Sequence, residues 1–166
     1  YRDVIEANAS DLGLDPSWVY GVVRQESAFV ADARSSAGAL GLMQLMPATG
    51  KLTGRKLNIP IRNNRAILNI ENNLRLGAGY LKEVLGRNNG NQVLATASYN
   101  AGPHRVSSWL PERSMEADIW VELIPFGETR DYVKNVMSYT TVYDHRLGSR
   151  PARLRNRMTD IVPVEK

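Results

Sequence analysis

The stretch from residue 15 to residue 27, DPSWVYGVVRQES, decides the fold class. Asp15 is of a type that caps helix N-termini, and proline, as at Pro16, is favoured at the first helical position. Residues at i, i+3, i+4 and i+7 share one helical face. Here they are Val19, Val22, Val23 and Glu26. The stretch therefore predicts a helix that runs to about Ser27.

Helical spacing recurs along the rest of the chain, and no stretch alternates apolar and polar residues for long enough to predict a strand. The longest helix is expected along an apolar stripe formed by Ile70, Leu74, Gly77, Leu81 and Val84. Shorter helices are expected from about residue 93 to the helix-ending Gly102-Pro103, at residues 119–123, and from residue 132 to about 148. We therefore expect an all-α fold of about seven helices.

The composition favours one ordinary globular domain. The chain has 166 residues, of which 43% are hydrophobic, and this is enough to form a core. No run approaches the roughly 18 apolar residues that a membrane span needs. The absence of cysteine excludes disulfides, cysteine-based metal sites and thiol nucleophiles. Neither a P-loop nor an HExxH motif is present, and a Ser/His triad stays open although no Gly-x-Ser-x-Gly elbow occurs.

The net charge of +4 belongs to the C-terminal end of the chain. Residues 145–166 hold six Arg or Lys residues against two acidic ones, and every aromatic residue precedes them. A nucleic-acid interface would more often spread basic residues over a folded face with interleaved aromatics. We therefore expect a folded domain at residues 1–148 and a basic C-terminal segment at residues 149–166. This segment is either solvated, contributing little to folding, or in contact with an anionic polymer.

Glu26 is the first candidate for chemistry, because it continues the apolar stripe of its helix. Partial burial and the negative end of the helix macrodipole both disfavour a charged carboxyl group, so we expect the pKa of Glu26 to be raised. A carboxyl group that keeps its proton near neutral pH can protonate the leaving oxygen of a glycosidic bond. The alternative is that the helix frays before residue 26 and that Glu26 points into water.

Two further segments carry polar residues in unusual places. Gln44 lies inside the apolar run GALGLMQLMPAT at residues 38–49. A buried amide needs hydrogen-bond partners, so Gln44 either bonds to backbone as a structural device or lines a cleft for a polar substrate such as a sugar. Tyr99 and Asn100 lie in the last turn before Gly102-Pro103. Such side chains either line a saccharide groove or cap the helix locally.

Four motifs occur in order between residues 1 and 148: QES at 25–27, GLMQLMP at 41–47, SYNAGP at 98–103 and IPFGETRDYV at 124–133. Together they resemble the soluble lytic transglycosylase family, whose catalytic domain is similar to goose-type lysozyme. The resemblance implies an all-α, lysozyme-like (goose-type) helical domain with a substrate groove, and a periplasmic location.

The same resemblance implies that Glu26 is the catalytic residue. The residues expected to bind substrate are Ser27, Met43, Gln44, Met46, Tyr99, Asn100, Glu128 and Tyr132. Among these, Ser27 would support the site, and Met43 and Met46 would form a sulfur-bearing wall of the groove. Glu128 and Tyr132, which lie one helical turn apart, would close the groove from the C-terminal helix.

The family's chemistry fits a site with one carboxylate. An ordinary glycosidase needs a second carboxylate, but the nearest acid, Asp32, lies in an expected loop and no motif marks it. The resemblance therefore implies that Glu26 protonates the bond between N-acetylmuramic acid and N-acetylglucosamine. As a base, Glu26 then activates the substrate's C6 hydroxyl, which closes a 1,6-anhydro ring.

No metal, cofactor, nucleic acid or membrane span is implied by the resemblance. The expected partner is the peptidoglycan glycan strand, and we expect a monomer. Two alternatives stay open. One is a goose-type lysozyme that hydrolyses the same bond, and the other is a glycan-binding module without catalysis.

Overall fold

The computed structural model describes residues 1–148 and 153–163. Within this part of the chain every regular element is a helix, and extended backbone pairs only in isolated bridges. The expected all-α class is confirmed. The described helices are α1 (Arg2–Leu12), α2 (Pro16–Ser27), α3 (Pro47–Lys56), α4 (Asn64–Leu68), α5 (Ile70–Arg87), α6 (Gln92–Ala101), α7 (Pro103–Ser108), α8 (Ala117–Leu123), α9 (Gly127–Arg146) and α10 (Leu154–Arg157).

The chain divides into two compact units. Unit 1 is Tyr1–Lys82 and unit 2 is Glu83–Lys166, so the division falls inside α5. Each unit contains its own cluster of buried apolar side chains. Among the described residues, no helix combines the length and the apolar character needed to cross a bilayer.

In unit 1, α2 begins and ends as the sequence predicts. The Asp15 carboxylate accepts a hydrogen bond from the Ser17 backbone N–H at 2.9 Å, and Pro16 occupies the first helical turn. These two features satisfy and pre-organise the helix start. The three stripe valines, Val19, Val22 and Val23, are all buried. The core-facing side of α2 is therefore the face on which Glu26 also lies.

Two glycines of α5 let other parts of unit 1 approach its backbone. A Cβ atom built at Gly77 would lie 2.6 Å from the Met43 Cβ, and one built at Gly79 would lie 2.7 Å from a methyl of Leu57. Contacts this short do not occur between real side chains. Glycine at these positions thus allows the Met43 segment and the end of α3 to pack directly on α5.

In unit 2, α6 ends where the sequence predicts. Gly102 has a positive φ of 89°, and Pro103 begins α7 directly afterwards. Proline cannot continue α6, and glycine adopts the turn conformation without strain. The unit's apolar cluster joins α6, α8 and α9 through Val93, Leu94, Ala97, Trp120, Val121, Val133 and Met137.

The helix expected at residues 119–123 exists, although two of the apolar residues that mark it are exposed. It begins at Ala117, and Ile119 and Leu123 are 50% and 61% exposed. The buried positions are Ala117, Trp120 and Val121. These three residues belong to the buried apolar cluster of unit 2.

The expectation that the basic C-terminal segment contributes little to folding is wrong for its described part. Ile161 is fully buried in the apolar cluster of unit 2, and its backbone pairs with Met115 in both directions, at 3.0 and 2.8 Å. Arg157 contacts both carboxylate oxygens of Asp144 at 2.7 and 2.8 Å. The basic residues Arg150 and Lys166 lie outside the described residues, and the assignment of residues 1–148 as one domain stays a prediction.

Candidate functional site

Glu26 is the penultimate residue of α2 and is half-buried. The helix continues to Ser27, so the alternative of a helix that frays before residue 26 is wrong. The carboxyl group therefore continues the stripe of buried valines to the edge of the core. Such a position is partly removed from water and close to the negative end of the helix macrodipole. The expected rise in the pKa of Glu26 stays a prediction.

The backbone that follows Glu26 is unusual. Ala28 and Phe29 have φ values of 49° and 67°, a left-handed region that non-glycine residues rarely adopt. Two such residues in succession cost free energy, and they persist only where surrounding contacts fix them. One such contact is aromatic, because the Tyr20 and Phe29 rings lie 6.2 Å apart.

Ser27 connects the end of α2 to the Gly41–Pro47 motif within unit 1. Its hydroxyl donates to the Leu42 carbonyl oxygen at 2.9 Å and lies 3.3 Å from the Val23 carbonyl oxygen. The Ser27 hydroxyl oxygen also accepts a hydrogen bond from the Phe29 N–H at 3.2 Å. Ser27 thus supports the helix end that carries Glu26. A direct contact of Ser27 with substrate stays a prediction.

Asn73 is a positioning residue that sequence reasoning missed. It lies on α5 and is 1% exposed. Its amide oxygen accepts from the Met43 N–H at 2.8 Å, and its NH₂ group donates to the carbonyl oxygens of Leu40 and Ile67 at 2.9 and 3.0 Å. These bonds supply partners to buried backbone groups around the Met43 segment, and the Leu40 carbonyl oxygen also accepts from the Leu45 N–H at 3.0 Å. The signal in the sequence is an amide on the apolar stripe of a helix, four residues before Gly77.

Gln44 has the first of the two roles that the sequence left open, and its role in lining a cleft stays a prediction. Its φ is 43°, and its NH₂ group donates to the carbonyl oxygens of Gly41 and Ala33 at 2.8 and 3.2 Å. The opposite amide orientation would place its oxygen against both carbonyl oxygens, so the hydrogen bonds fix which way the amide points. The reading as a structural device is confirmed for the NH₂ group. The amide oxygen of this half-buried side chain makes no hydrogen bond to the described residues.

The two methionines of this segment differ. Met43 has no exposed surface, and it packs against Gly77 in the core of unit 1. The expected role of Met43 as part of a groove wall is therefore not supported, because a fully buried side chain cannot contact a saccharide. Met46 is 44% exposed at the start of α3, and its contact with substrate stays a prediction.

In unit 2, the third and fourth sequence motifs are joined by a hydrogen bond. The Thr129 hydroxyl, on the first turn of α9, donates to the Asn100 amide oxygen at 2.7 Å. Thr129 is 2% exposed, whereas Asn100 is half-buried. The bond holds the amide so that its NH₂ group, which makes no hydrogen bond to the described residues, is the part available to a ligand.

The other candidates of unit 2 differ in their exposure. Tyr99 is half-buried in the last turn of α6. Glu128 is exposed on the first turn of α9, but Tyr132, one turn further, is only 4% exposed. Little of the Tyr132 side chain is thus available for contact, and the binding roles of all three residues stay predictions. Among the described residues, no group of three or more His, Asp or Glu side chains is placed to hold a metal ion.

These features define a helical domain of lysozyme-like class, with a half-buried glutamate at a helix end and no catalytic motif of another class. A family model described as Transglycosylase SLT domain matches residues 3–121, and one described as Soluble lytic transglycosylase helical domain matches residues 123–152. The first match covers most of the chain, and the chain belongs to the transglycosylase SLT domain family.

Individual relatives agree with this membership. The chain is similar to the soluble lytic murein transglycosylase of Salmonella typhimurium, with 39% identity over 155 residues that cover 92% of this chain and 24% of that protein. It is also similar to the structure of an inactive mutant of lytic transglycosylase Slt from Pseudomonas aeruginosa, with 48% identity and a TM-score of 0.87 over 91% of this chain and 25% of that chain.

A second solved structure, the 70-kDa soluble lytic transglycosylase from Escherichia coli, is 37% identical. It has a TM-score of 0.85 over 91% of this chain and 25% of that chain. The similarity confirms the lysozyme-like helical fold. The chain spans about a quarter of the length of these relatives.

Proposed function

We propose that this chain cleaves the β-1,4 bond between N-acetylmuramic acid and N-acetylglucosamine in peptidoglycan without water, leaving a 1,6-anhydro-N-acetylmuramic acid end. The observation that carries the proposal is the placement of Glu26, half-buried at the end of a core-facing stripe. Family membership supports the substrate class, because the relatives are named soluble lytic murein transglycosylases. We also infer a periplasmic location, where a murein substrate is found.

In the first step, Glu26 acts as a general acid. Its proton goes to the glycosidic oxygen while the bond from that oxygen to C1 of N-acetylmuramic acid breaks. The N-acetyl group of the same sugar stabilises the positive charge that develops at C1. Glu26 is then a carboxylate, and the N-acetylglucosamine product carries the transferred proton as its O4 hydroxyl.

In the second step, the same group acts as a base. The Glu26 carboxylate takes the proton of the C6 hydroxyl, and O6 bonds to C1, which closes the anhydro ring and restores the protonated acid. A hydrolytic enzyme would instead hold a water with a second carboxylate. Asp32, the nearest acid along the chain, is exposed in a turn and belongs to none of the four motifs, so it does not support a water-activating role.

Each of the two amides described above offers one polar group. Gln44 in unit 1 offers an oxygen that can accept from a sugar hydroxyl or an N-acetyl N–H. Asn100 in unit 2 offers an NH₂ group that can donate to a hydroxyl or carbonyl oxygen. Both amides are fixed by protein contacts, which lowers the entropy lost on binding. The inactive mutant of the Pseudomonas aeruginosa relative has one glutamate replaced by glutamine. A glutamate is therefore essential for the activity of that enzyme.

Two alternatives make different products. A goose-type lysozyme would hydrolyse the same bond and leave a reducing N-acetylmuramic acid. A glycan-binding module would release no fragments at all. Retention of Glu26 on a core-facing stripe favours an enzyme, because a binding module gains nothing from a carboxyl group that is costly to bury.

The test is digestion of purified sacculi in water enriched in oxygen-18, followed by mass spectrometry of the soluble fragments. We expect fragments that are lighter by one water than the hydrolytic products and that contain no oxygen-18 at C1. Glu26→Gln serves as the inactive control. Reducing fragments labelled with oxygen-18 would establish hydrolysis instead, and the absence of fragments from the unsubstituted chain would favour a binding module. The expected monomeric state stays a prediction, which sedimentation of the same preparation would check.

A further inference from the structure

One side chain in unit 2 joins the end of α8 to the start of α9. The Nη2 atom of Arg130, at the end of the first turn of α9, donates to the Ile124 carbonyl oxygen at 2.8 Å. Ile124 is the C-cap of α8 and is 1% exposed. Since α8 ends at Leu123 and α9 begins at Gly127, the bond spans the entire corner between the two helices. Arg130 therefore restrains the direction in which α9 starts.

Apolar packing holds this corner from its inner side. Ile124 and Val133 belong to the buried apolar cluster of unit 2. The other two residues of the corner, Pro125 and Phe126, are exposed, although the Phe126 ring contacts the Trp109 ring at 5.3 Å. Exposed residues bury little apolar surface and restrain the backbone weakly. The hydrogen bond across the corner therefore adds a restraint that packing does not supply.

Stability alone does not explain an arginine at this position. The guanidinium is half-buried, it forms no salt bridge with the described residues, and its Nε atom is buried without a hydrogen-bond partner among them. Burial of a cation and of an unpaired donor costs free energy, of which the negative end of the α8 macrodipole offsets a part. An apolar side chain would fill much of the space without this cost. A buried donor that is left unpaired calls for another explanation, and the neighbouring residue of α9 provides one.

The residue before Arg130 fixes a candidate binding group. The Thr129 hydroxyl donates to the Asn100 amide oxygen at 2.7 Å, and Thr129 is 2% exposed. A hydrogen bond weakens when its donor is displaced or turned away from the acceptor. A change in the direction of the first turn of α9 would therefore move the hydroxyl from Asn100 and release the amide.

We propose that Arg130 is a positioning residue, which fixes the start of α9 so that Thr129 holds Asn100 with its NH₂ group available to the glycan. The inference rests on the proposed function for the choice of ligand, and Arg130 itself contacts no sugar. An amide that rotates freely before binding loses more entropy when it binds. Because Asn100 is a binding group and Glu26 is the proton donor, loss of Arg130 weakens glycan binding more than it slows the proton transfer.

The test measures glycan binding by calorimetry in the 166-residue chain with Glu26→Gln, so that affinity is recorded without turnover. The ligand is a peptide-free tetrasaccharide of alternating N-acetylglucosamine and N-acetylmuramic acid. Arg130→Met removes the donors and keeps an unbranched side chain, Arg130→Lys keeps one charged donor, and Thr129→Val removes the hydroxyl and keeps the shape. The matched control is Lys134→Met. Lys134 lies one turn further along α9 and also reaches α8, through an exposed ion pair with Glu122 at 2.6 Å.

We expect Arg130→Met and Thr129→Val each to weaken binding roughly three- to tenfold. The double variant should bind no more weakly than the weaker single variant, because both changes release the same amide. Arg130→Lys should have an intermediate affinity, and it takes the place of Arg130→Met if that variant does not fold. Lys134→Met should bind like the Glu26→Gln chain. An unchanged affinity of the Arg130 variants, or losses that add in the double variant, would overturn the inference.

A second measurement reports on Asn100 directly. Nuclear magnetic resonance relaxation of its nitrogen-15-labelled side chain, assigned through the signal missing in Asn100→Ser, should show a more mobile amide in Arg130→Met and Thr129→Val. Lys134→Met should leave the amide as rigid as before. A lower urea midpoint of Arg130→Met together with a rigid Asn100 amide would show a merely structural role and overturn the inference.

These outcomes are separable from the proposed function. Anhydro products from the unsubstituted chain, together with an unchanged affinity of the Arg130 variants, would remove the inference alone. Coupled losses of affinity at Arg130 and Thr129 in a chain that releases hydrolytic products, or none, would leave the role of Arg130 assigned and remove the proposed reaction.

Discussion

The ends of α2 in unit 1 and of α6 in unit 2 both carry candidate site residues, but they are held in different ways. After α2 the chain runs to Met46 without a helix, and its turns are fixed by the Ser27 hydroxyl and the Asn73 amide. After α6 the chain enters another helix immediately at Pro103, and α6 and α9 pack through a shared apolar cluster.

The difference shows two ways to position a polar side chain. Irregular backbone has no helix partners for its N–H and C=O groups, so buried side chains must supply them. Helices satisfy their own backbone, so their mutual position is set by apolar packing, to which the hydrogen bond between Thr129 and Asn100 adds a polar contact. Unit 1 should therefore be sensitive to the loss of single hydrogen bonds, and unit 2 to the loss of packing or of the ion pair that closes it.

The largest effect is expected on the cleavage rate, from substitution of Glu26 in unit 1 compared with Glu128 in unit 2. Glu26→Gln removes the proton donor and retains the shape, so the rate of sacculus cleavage should fall roughly 10²- to 10⁴-fold. Glu128→Gln is the same change at the exposed candidate of unit 2. It should lower the cleavage rate by less than about tenfold, because Glu128 would only contact substrate. Initial rates of fragment release check both, with Glu71→Gln as an exposed control. Glu26→Gln with more than about a tenth of the original rate would remove Glu26 from the reaction.

The next effect concerns the closure of unit 2 by its C-terminal segment. Asp144 and Arg157 have side-chain exposures of 2% and 13%. Asp144→Asn leaves the Arg157 charge buried without its counter-ion, so the free energy of unfolding should fall by about 3 kcal/mol. Urea denaturation measures this loss. The double variant Asp144→Asn/Arg157→Gln should lose less than the single one, and a single variant within about 1 kcal/mol of the original chain would show that the ion pair does not hold the segment.

The third effect compares a buried amide, Asn73, with a half-buried one, Asn88. Asn73→Ala removes three hydrogen bonds and takes away the partner that Asn73 supplies to the Met43 N–H and the Ile67 carbonyl oxygen, which should cost about 3 kcal/mol. The Leu40 carbonyl oxygen keeps its bond from the Leu45 N–H. Asn88→Ala in unit 2 removes bonds to the Val84 carbonyl oxygen and the Ser98 hydroxyl and should cost about 1 kcal/mol. Thermal denaturation of the two variants gives the comparison. Equal losses would mean that the irregular segment does not depend on Asn73.

Much of the fold is predictable because its helix ends have explicit signals. Asp15-Pro16 and Gly102-Pro103 fix the start of α2 and the end of α6 through local backbone chemistry. The sequence does not predict α3, since Gly50 and Gly54 lie inside it and lower its helix propensity. A Cβ atom at Gly54 would lie 2.8 Å from the Ile59 carbonyl oxygen, and one at Gly50 would lie 3.0 Å from a methyl of Ile67. This close tertiary packing is not contained in helix propensity.

The candidate site divides in the same way. Glu26 is predictable because its position on an apolar stripe is a local property of one helix. The roles of Asn73 and Ile161 depend on contacts with residues about 30 and 46 positions away along the chain. The many charges after Gly148 predict a solvated segment, because the sequence does not show that Asp144 pairs with Arg157. For Met43 the motif predicts a contact with substrate, but the side chain is fully buried in the core.

The fourth effect concerns the part of α5 that belongs to unit 1. Gly77→Ala would place its methyl group against Met43, with no space to receive it. Overpacking of this kind costs about 1 to 3 kcal/mol, more than the gain in helix propensity. We expect a lower urea midpoint and, because Met43 neighbours Gln44, a lower cleavage rate. A midpoint equal to that of the original chain would mean that Met43 repacks freely.

The smallest effect concerns the part of the same helix that belongs to unit 2. Gly86 lies one residue before the end of α5, and a Cβ atom added there would meet no atom within 4 Å. Its φ is not in the left-handed region, so alanine fits without strain and reduces the freedom of the unfolded chain. Gly86→Ala should therefore raise the free energy of unfolding by about 0.5 kcal/mol, opposite in sign to Gly77→Ala. Urea denaturation of the two variants under the same conditions measures the difference in sign. If Gly86→Ala destabilised the chain as much as Gly77→Ala, the contrast would come from a general intolerance of α5 to side chains, and the close approach of Met43 would not explain the glycine at position 77.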